Sequence, residues 1–445
     1  MRIALLDPVG DAGIGGYTHE LAEALSRAGA IVDVFSVVRP FAERLPRSYT
    51  LIPLFGGPTL DQEAIARLHG ASALATTPGE PVPPPTANAL DDYFDVLERR
   101  RWDAMPLERA PPPATPNVGA ASAPPSPLPC SSDALTAHLC AVGYDTVWTQ
   151  WPALGSYDEG LRERCTAQGA HVVHTVHNVL PHERTSDDVA RHRRVYLASE
   201  LLVVHSEQAA VALAAMFPEV AERIVESRHG TYTLYPRLPA ARDRVRARLG
   251  VADDVVLALV FGGVRPYKNV EEMLEALRDD RCRNVVAAVA GWEWGYDDLV
   301  RGDRLGRTRR LVDRLGVADR VRLLPGPFGV AQTAALFEAS DVVPLPYLES
   351  SGSGVLCLGL TFQRHLLCTR TGGMDEYLAD YAAHTVLDSG GVEDIATGLA
   401  AAEREITAPG RVAPETPVAL HWDALVVGLL SRFAATRLAT TSGGC

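Results

Sequence analysis

The chain of 445 residues has a single lysine, Lys268, and its other basic side chains are arginines. With 42 basic against 55 acidic residues the formal net charge is −13, which removes the basic footprint that nucleic-acid binding needs. No Asp-x-Asp pair occurs, so nothing in the sequence marks a carboxylate pair for a metal-bridged diphosphate. A G-x-G-x-x-G fingerprint is also absent, which disfavours a dinucleotide site. The seven cysteines, at positions 130, 140, 165, 282, 357, 368 and 445, are scattered and include no C-x-x-C pair. Neither a zinc knuckle nor a dithiol is implied, and a reducing cytoplasm fits best. No apolar run reaches the roughly 18 residues of a membrane span. The opening MRIALLDPVG reads as a buried strand rather than a secretory leader. The expectation is a cytoplasmic protein, monomer or homodimer, with no metal and no cofactor. Its contact with membranes would be at most peripheral, through basic helical stretches such as Arg191 to Tyr196.

What is present is a large apolar fraction, 47%, in a chain longer than one core usually supports. Two α/β domains follow from that. Arg2 to Leu6 reads as a strand, Asp7 to Gly16 as a glycine-rich loop, and Leu21, Ala24, Leu25 and Ala28 as one face of a helix. This strand, loop and helix open a Rossmann-like unit. Ile31 to Val37, Thr146 to Thr149, His171 to Thr175 and Leu201 to His205 read as further strands. From about 76 to 132 runs of proline and alanine forbid a parallel sheet, and a surface excursion with a short helix at Leu90 to Arg100 is expected. Arg237 to Arg248 reads as a linker with a helix. A second alternation follows, with strands at Val255 to Phe261, Val285 to Ala290, Val321 to Leu324 and Asp341 to Pro344. The expected division is 1–240 for the first domain, 241–415 for the second, and 416–445 for a helix packing back on the first, with the two domains facing across a cleft.

In open parallel sheets ligands gather at the carboxyl ends of strands, so the loops there hold the candidates. In FGGVRPYKN, residues 261–269, glycines permit close approach and Arg265 and Lys268 precede a helix. Such a pair serves either as solvated surface charge or as a diphosphate clamp, and its position favours the clamp. ESSGSG, comprising Glu349, Ser350, Ser351, Gly352, Ser353 and Gly354, precedes an apolar helix. It is either a turn with an N-cap or a phosphate cradle built from amides and the helix dipole. HTVHNVLPHE places His174, His177, Asn178 and His182 after a strand, as an acceptor pocket or, less favoured, three zinc ligands. Gly15 and Gly16 offer backbone flat enough for a sugar diphosphate to approach.

In their order along the chain, GIGGYTHELAEAL, YDTVWTQWP, TVHNVLPHE, VVHSEQ, RHG, FGGVRPYKNVEEML, ADRVRLLPGPF and SGSGVLCLGLTFQRHLLCTRTGGMDE resemble the blocks of a known family. It is glycosyltransferase family 4, the group 1 retaining nucleotide-sugar glycosyltransferases with the GT-B fold. The similarity covers most of the chain outside the Pro-rich excursion. It implies that Arg265 and Lys268 neutralise a donor diphosphate and that amides at Ser351 to Gly354 hold its phosphates. His177 would lie near the transferred sugar, Gly15 and Gly16 would border phosphate and acceptor, and the loops at Gly291 and Phe328 would flank the nucleobase. The family often carries two glutamates eight residues apart. Here Glu349 is followed at that distance by Cys357, so the second carboxylate is missing, as in a branch with S-G-S at this place.

The expected function is therefore metal-independent, retaining transfer of a sugar from a UDP- or GDP-sugar to an acceptor, such as a small polar metabolite of a biosynthetic pathway. A sugar-nucleotide epimerase on the same fold and a non-catalytic nucleotide-sugar-binding protein are the rival readings.

Overall fold

A computed structural model describes every residue except 11–12, 38–42, 44, 56–61, 75–90, 92–131, 152–155, 182–185, 294–303 and 443–445. The Pro-rich excursion and its short helix lie almost wholly outside the described residues. The chain forms two compact units, one from residues within 1–82, 112–230 and 418–445, the other from those within 83–111 and 231–417.

The first unit is built on a seven-stranded parallel sheet in the order β3-β2-β1-β4-β5-β6-β7. Its strands are β1 (Arg2–Asp7), β2 (Ile31–Val37), β3 (Thr50–Phe55), β4 (Thr146–Thr149), β5 (His171–Thr175), β6 (Leu201–Val204) and β7 (Ile224–Glu226). The alternation of β1 explains its place at the centre. Ile3 and Leu5 enter the core on one face, Ala4 and Leu6 the core on the other, and all four are buried. Helix α1 (Ile14–Arg27) covers the first face with Tyr17, Leu21, Ala24 and Leu25. On the other face lie α2 (Gln62–Leu74), α3 (Ser132–Val142) and α4 (Ser156–Ala167), which supply Ile65, Leu135, Leu139, Leu161 and Cys165. Two further helices, α5 (Asp188–Leu197) and α6 (Glu207–Met216), pack Val195, Tyr196 and Leu213 into a smaller cluster.

The second unit carries a six-stranded sheet in the order β10-β9-β8-β11-β12-β13, again with every pairing parallel. Its strands are β8 (Val256–Val264), β9 (Val285–Glu293), β10 (Val321–Pro325), β11 (Val342–Leu345), β12 (His365–Thr369) and β13 (His384–Leu387). The helices are α7 (Ala241–Leu249), α8 (Val270–Ala276), α9 (Gly306–Leu315), α10 (Val330–Ala339), α11 (Gly354–Thr361) and α12 (Val392–Ile406). Residues 237–248, expected as a linker, lie within this unit. Arg246, only 1% exposed, donates to the Asp341 carboxylate at 2.9 Å and to the carbonyls of Ala252 and Val255 at 2.6 Å, fixing α7 beneath β8 and β11.

The final helix, α13 (Trp422–Ser442), returns to the first unit. Trp422, Val426, Leu429 and Phe433 recur at helical spacing, and all four join the core that α1 covers. Each such side chain contributes about 1.5–3 kcal/mol by leaving water.

One expected boundary moves. β8 does not end at Phe261 but runs on through Gly262, Gly263 and Val264, which pair with Gly291, Trp292 and Glu293 of β9. The two backbones approach so closely that a Cβ on Gly291 would lie 1.8 Å from the Gly262 carbonyl oxygen. The glycines there serve strand-to-strand contact.

Candidate functional site

At the carboxyl ends of β8, β11 and β12 the second unit gathers the charged and small residues singled out by sequence. After β8, Arg265 leads into a 3-10 turn, Pro266–Lys268, and Asn269 takes a left-handed conformation with φ 56°. The Asn269 amide secures that turn by donating to Gly390 O at 2.7 Å. Lys268 is thereby turned inward and is only 8% exposed. Its Nζ donates to Phe261 O at 2.9 Å and lies 5.8 Å from the centroid of the Tyr347 ring. Burial, followed by the neighbouring Arg265 guanidinium, lowers the Lys268 ammonium to about 7.

Tyr347, two residues after the end of β11, links this cation to the small-residue loop. Its ring meets Tyr267 edge-on, its backbone carbonyl accepts from Thr369 Oγ1 at 2.6 Å, and its side chain hydrogen-bonds Ser353. Ser353 is the N-cap of α11, its Oγ accepting from Leu356 N at 3.2 Å. Ser350 folds on itself, donating to Gly352 O at 2.7 Å and accepting from Gly352 N at 3.1 Å. Ser351 is half-buried between them, Gly352 sits at φ 144°, and Glu349 is exposed. Gly354 admits the Tyr232 hydroxyl, which would be 2.9 Å from a Cβ there, and Gly372, at φ 64°, would press a Cβ to 2.6 Å from Ser350 C. The absent second carboxylate has a structural counterpart. Cys357 faces the interior of α11's packing at 1% exposure, where burial pushes its thiol above the usual range. Gly291 and Phe328 lie at the ends of the neighbouring strands. Phe328 is 6.2 Å from Phe261, ring to ring, and stands beside Gly326, whose N–H donates to Gly291 O at 2.6 Å.

In the first unit the corresponding strand ends separate the expected residues. Gly15 and Gly16 form the first turn of α1, and a Cβ on Gly15 would meet Gly10 C at 2.8 Å, so this glycine closes its own loop. His177, after β5, sets its ring 4.7 Å from that of Tyr17, edge-on, and its enclosed Nε2 has no hydrogen-bond partner. His205 and His229 also lie about Tyr17, with ring centroids 5.1 and 5.0 Å away. Burial, then these two histidines, hold His177 well below its ordinary range. His174 is the exception to the expected acceptor pocket. Its side chain points into the core, Nδ1 lying 2.7 Å from Thr149 Oγ1 and the ring resting against Tyr196, and burial lowers it to about 3. Val172, two residues earlier in the alternation, enters the same buried face, so His174 follows it into the core rather than toward the strand end. Asn178 is half-buried and its carbonyl accepts from Tyr196 at 3.3 Å. His182 lies outside the described residues. Among those residues no cluster of His, Cys, Asp or Glu is arranged to hold a metal ion, and no helix is long and apolar enough to cross a membrane.

One residue escaped the sequence reading. Tyr347 could have been found as an aromatic in the loop that follows a buried strand.

No family model matches the chain. It is 25% identical to the D-inositol 3-phosphate glycosyltransferase of Mycolicibacterium smegmatis over 299 residues, 65% of this chain and 67% of that protein. The enzyme of the same name from Streptomyces griseus is 29% identical over 236 residues, 47% of this chain and 49% of its own. The matches thus span about half to two thirds of the length of these curated relatives. Among solved structures, sucrose-phosphate synthase from Thermosynechococcus elongatus superposes with a TM-score of 0.64 at 15% identity, covering 99% of this chain and 100% of that one. The catalytic domain of starch synthase IV from Arabidopsis thaliana, bound to ADP and acarbose, gives 0.60 at 12% identity, covering 96% and 95%. The fold is α/β of the GT-B type, with two Rossmann-like parallel-sheet units, and its relatives are glycosyltransferases.

Proposed function

We propose that the protein is a retaining, metal-independent glycosyltransferase that uses a nucleotide diphosphate sugar, UDP- or GDP-linked, as donor and a small polar metabolite as acceptor. The observation that carries this reading is the buried Lys268 ammonium beside Arg265, at the strand ends of a Rossmann-like sheet. A buried cation held by one carbonyl is under-compensated, and a diphosphate is the ligand that completes it. The amides at Ser351 to Gly354 and the N-terminus of α11 add donors for the same anion.

In this reading the acceptor oxygen bonds to the anomeric carbon on the face the diphosphate leaves. The bond from that carbon to the diphosphate breaks, and the acceptor proton passes to the departing phosphate oxygen. The products are a glycoside and a nucleoside diphosphate. Arg265 and Lys268 stabilise the charge growing on the leaving group, work for which a bridging cation is not required. The neutral His177 contacts hydroxyls of the transferred sugar or acceptor, while Gly291 and Phe328 border the base. The curated relatives are named for transfer to D-inositol 3-phosphate, which supports a polyhydroxylated acceptor. The decisive experiment is calorimetry with UDP, GDP and their sugars, followed by transfer assays with and without EDTA. Absence of nucleotide binding to the wild type, or its survival in Lys268→Met, would sink this assignment.

A further inference from the structure

The approaches to β4 and β5 repeat one another. Helix α3 ends at Val142 and α4 at Ala167, each leading by a short turn into its strand, and Thr146 of β4 pairs with His171 of β5. Cys140 and Cys165 stand at the same distance before those two paired residues, so adjoining parallel crossovers carry a cysteine at equivalent places. Spacing along the chain announces no dithiol, because a different helix supplies each sulfur.

Both side chains turn to the seam between the helices. Cys165 belongs to the core on this face of the sheet, and Cys140 packs against that core. Cys140 Sγ donates at 3.6 Å to Arg164 O, the carbonyl joined to the Cys165 nitrogen, and the two thiols share a side-chain hydrogen bond. Sulfurs in such contact need only side-chain rotation to come within bonding reach. The two thiols are not alike. Cys165 is 1% exposed, and burial, followed by Cys140, pushes it up to about 12. Cys140 is half-buried and is the sulfur that a small oxidant reaches.

We infer that Cys140 and Cys165 form a site of reversible oxidation, which hydroperoxides convert to a disulfide that staples α3 to α4. The Cys140 thiolate attacks one oxygen of the hydroperoxide and the O–O bond breaks. The other oxygen takes a proton and departs as water or an alcohol, which leaves Cys140 as a sulfenic acid. The Cys165 sulfur then attacks the Cys140 sulfur, the S–O bond breaks, and the hydroxyl departs as water with the Cys165 proton. Two thiols lose two electrons and two protons in all, and the peroxide is reduced. Burial of Cys165 makes the second step the slow one, so the pair acts as a staple that accumulates under sustained oxidant rather than as a rapid sensor. Both cysteines lie where β4 and β5 begin, whereas ligands of such sheets gather where strands end. The staple therefore acts on stability, closing the chain around β4, which lies between the two cysteines. It does not depend on the glycosyltransferase reading.

The test treats the reduced full chain with excess hydrogen peroxide, blocks the remaining thiols with N-ethylmaleimide, digests with trypsin and chymotrypsin together, and identifies linked peptides by mass spectrometry. Expected is a peptide carrying Cys140 joined to one carrying Cys165, lighter by two hydrogens than the pair and separated by dithiothreitol. The unfolding transition of the first unit should rise by about 5–10 °C on oxidation, as closing a loop of this length implies, and fall back on reduction. Cys140→Ser and Cys165→Ala should each abolish the linked peptide and the rise. If Cys165→Ala does not fold, Cys140→Ser, a one-atom exchange at the half-buried position, decides. The inference fails if peroxide carries Cys140 to a sulfinic acid without a link, or if either cysteine pairs instead with Cys130 or Cys445. It fails equally if oxidation leaves the wild-type transition unmoved, or raises that of Cys140→Ser as much.

Discussion

Lys268 Nζ donates to the carbonyl oxygen of Phe261 across 2.9 Å, so the chain's one lysine is tied to the strand from which its own loop departs. Phe261 is followed in the strand by Gly262 at φ 90°, where a Cβ would lie 3.1 Å from the same Nζ. Lysine position and glycine are therefore parts of one arrangement.

Lys268→Ala is expected to lower kcat for transfer by about a thousandfold, the scale of losing one preorganised charge at a leaving group. Circular dichroism should be unchanged. Full turnover in that variant would refute the phosphate site.

Donor affinity should depend on pH through the same residue. With the free-protein ammonium near 7, the anion binds the protonated form, so affinity is full below that value and declines above it, by up to about tenfold per pH unit. The stability of the unliganded protein moves the opposite way. A lysine lowered on folding makes the unfolded chain the better proton binder between about 7 and its ordinary value of 10.5, so this contribution to stability rises with pH there. Calorimetric titration of UDP between pH 7 and 9 checks the first effect, and Lys268→Met should flatten it.

Gly291→Ala should destabilise the second unit by about 3 kcal/mol or more, because the added carbon meets backbone, the Gly262 oxygen at 1.8 Å, and neither strand can yield without losing register. Gly250→Ala is the control. Its φ is positive, 62°, but nothing lies within 4 Å of a Cβ, so its cost should stay near 1 kcal/mol. Chemical denaturation of both variants gives the comparison.

Cys357→Glu, which restores the carboxylate that the sequence lacks, should weaken folding without improving donor affinity. The position is 1% exposed inside the packing of α11, so a carboxylate there must desolvate or stay protonated. Melting temperature and UDP affinity, compared with Cys357→Ser, decide this.

Trp422→Ala should cost about 3–5 kcal/mol. The indole lies 2% exposed, with its ring 5.0 Å from that of Tyr17, and anchors the start of α13 in the first core. Thermal denaturation provides the measure.

The α/β alternation and the strands Ile31–Val37, Thr146–Thr149 and His171–Thr175 were legible in the sequence, because a buried parallel strand needs adjacent apolar residues at its centre whatever it pairs with. The cation pair and the small-residue loop were legible for a related reason: charge and glycine beside a strand end have few structural uses. Side-chain direction was not. His174 and His177 are three residues apart in one motif, yet one is held in the core by Thr149 and the other stands against Tyr17. Nor could sequence show that Lys268 is enclosed or that Gly262 and Gly291 are opposite each other, since each depends on residues far apart in the chain. Local composition determined which segments become strands, helices and turns. Only the tertiary structure decided which polar atoms those segments bury, and so which of them remain available to a ligand, because desolvation is set by what packs around a group rather than by its neighbours in sequence.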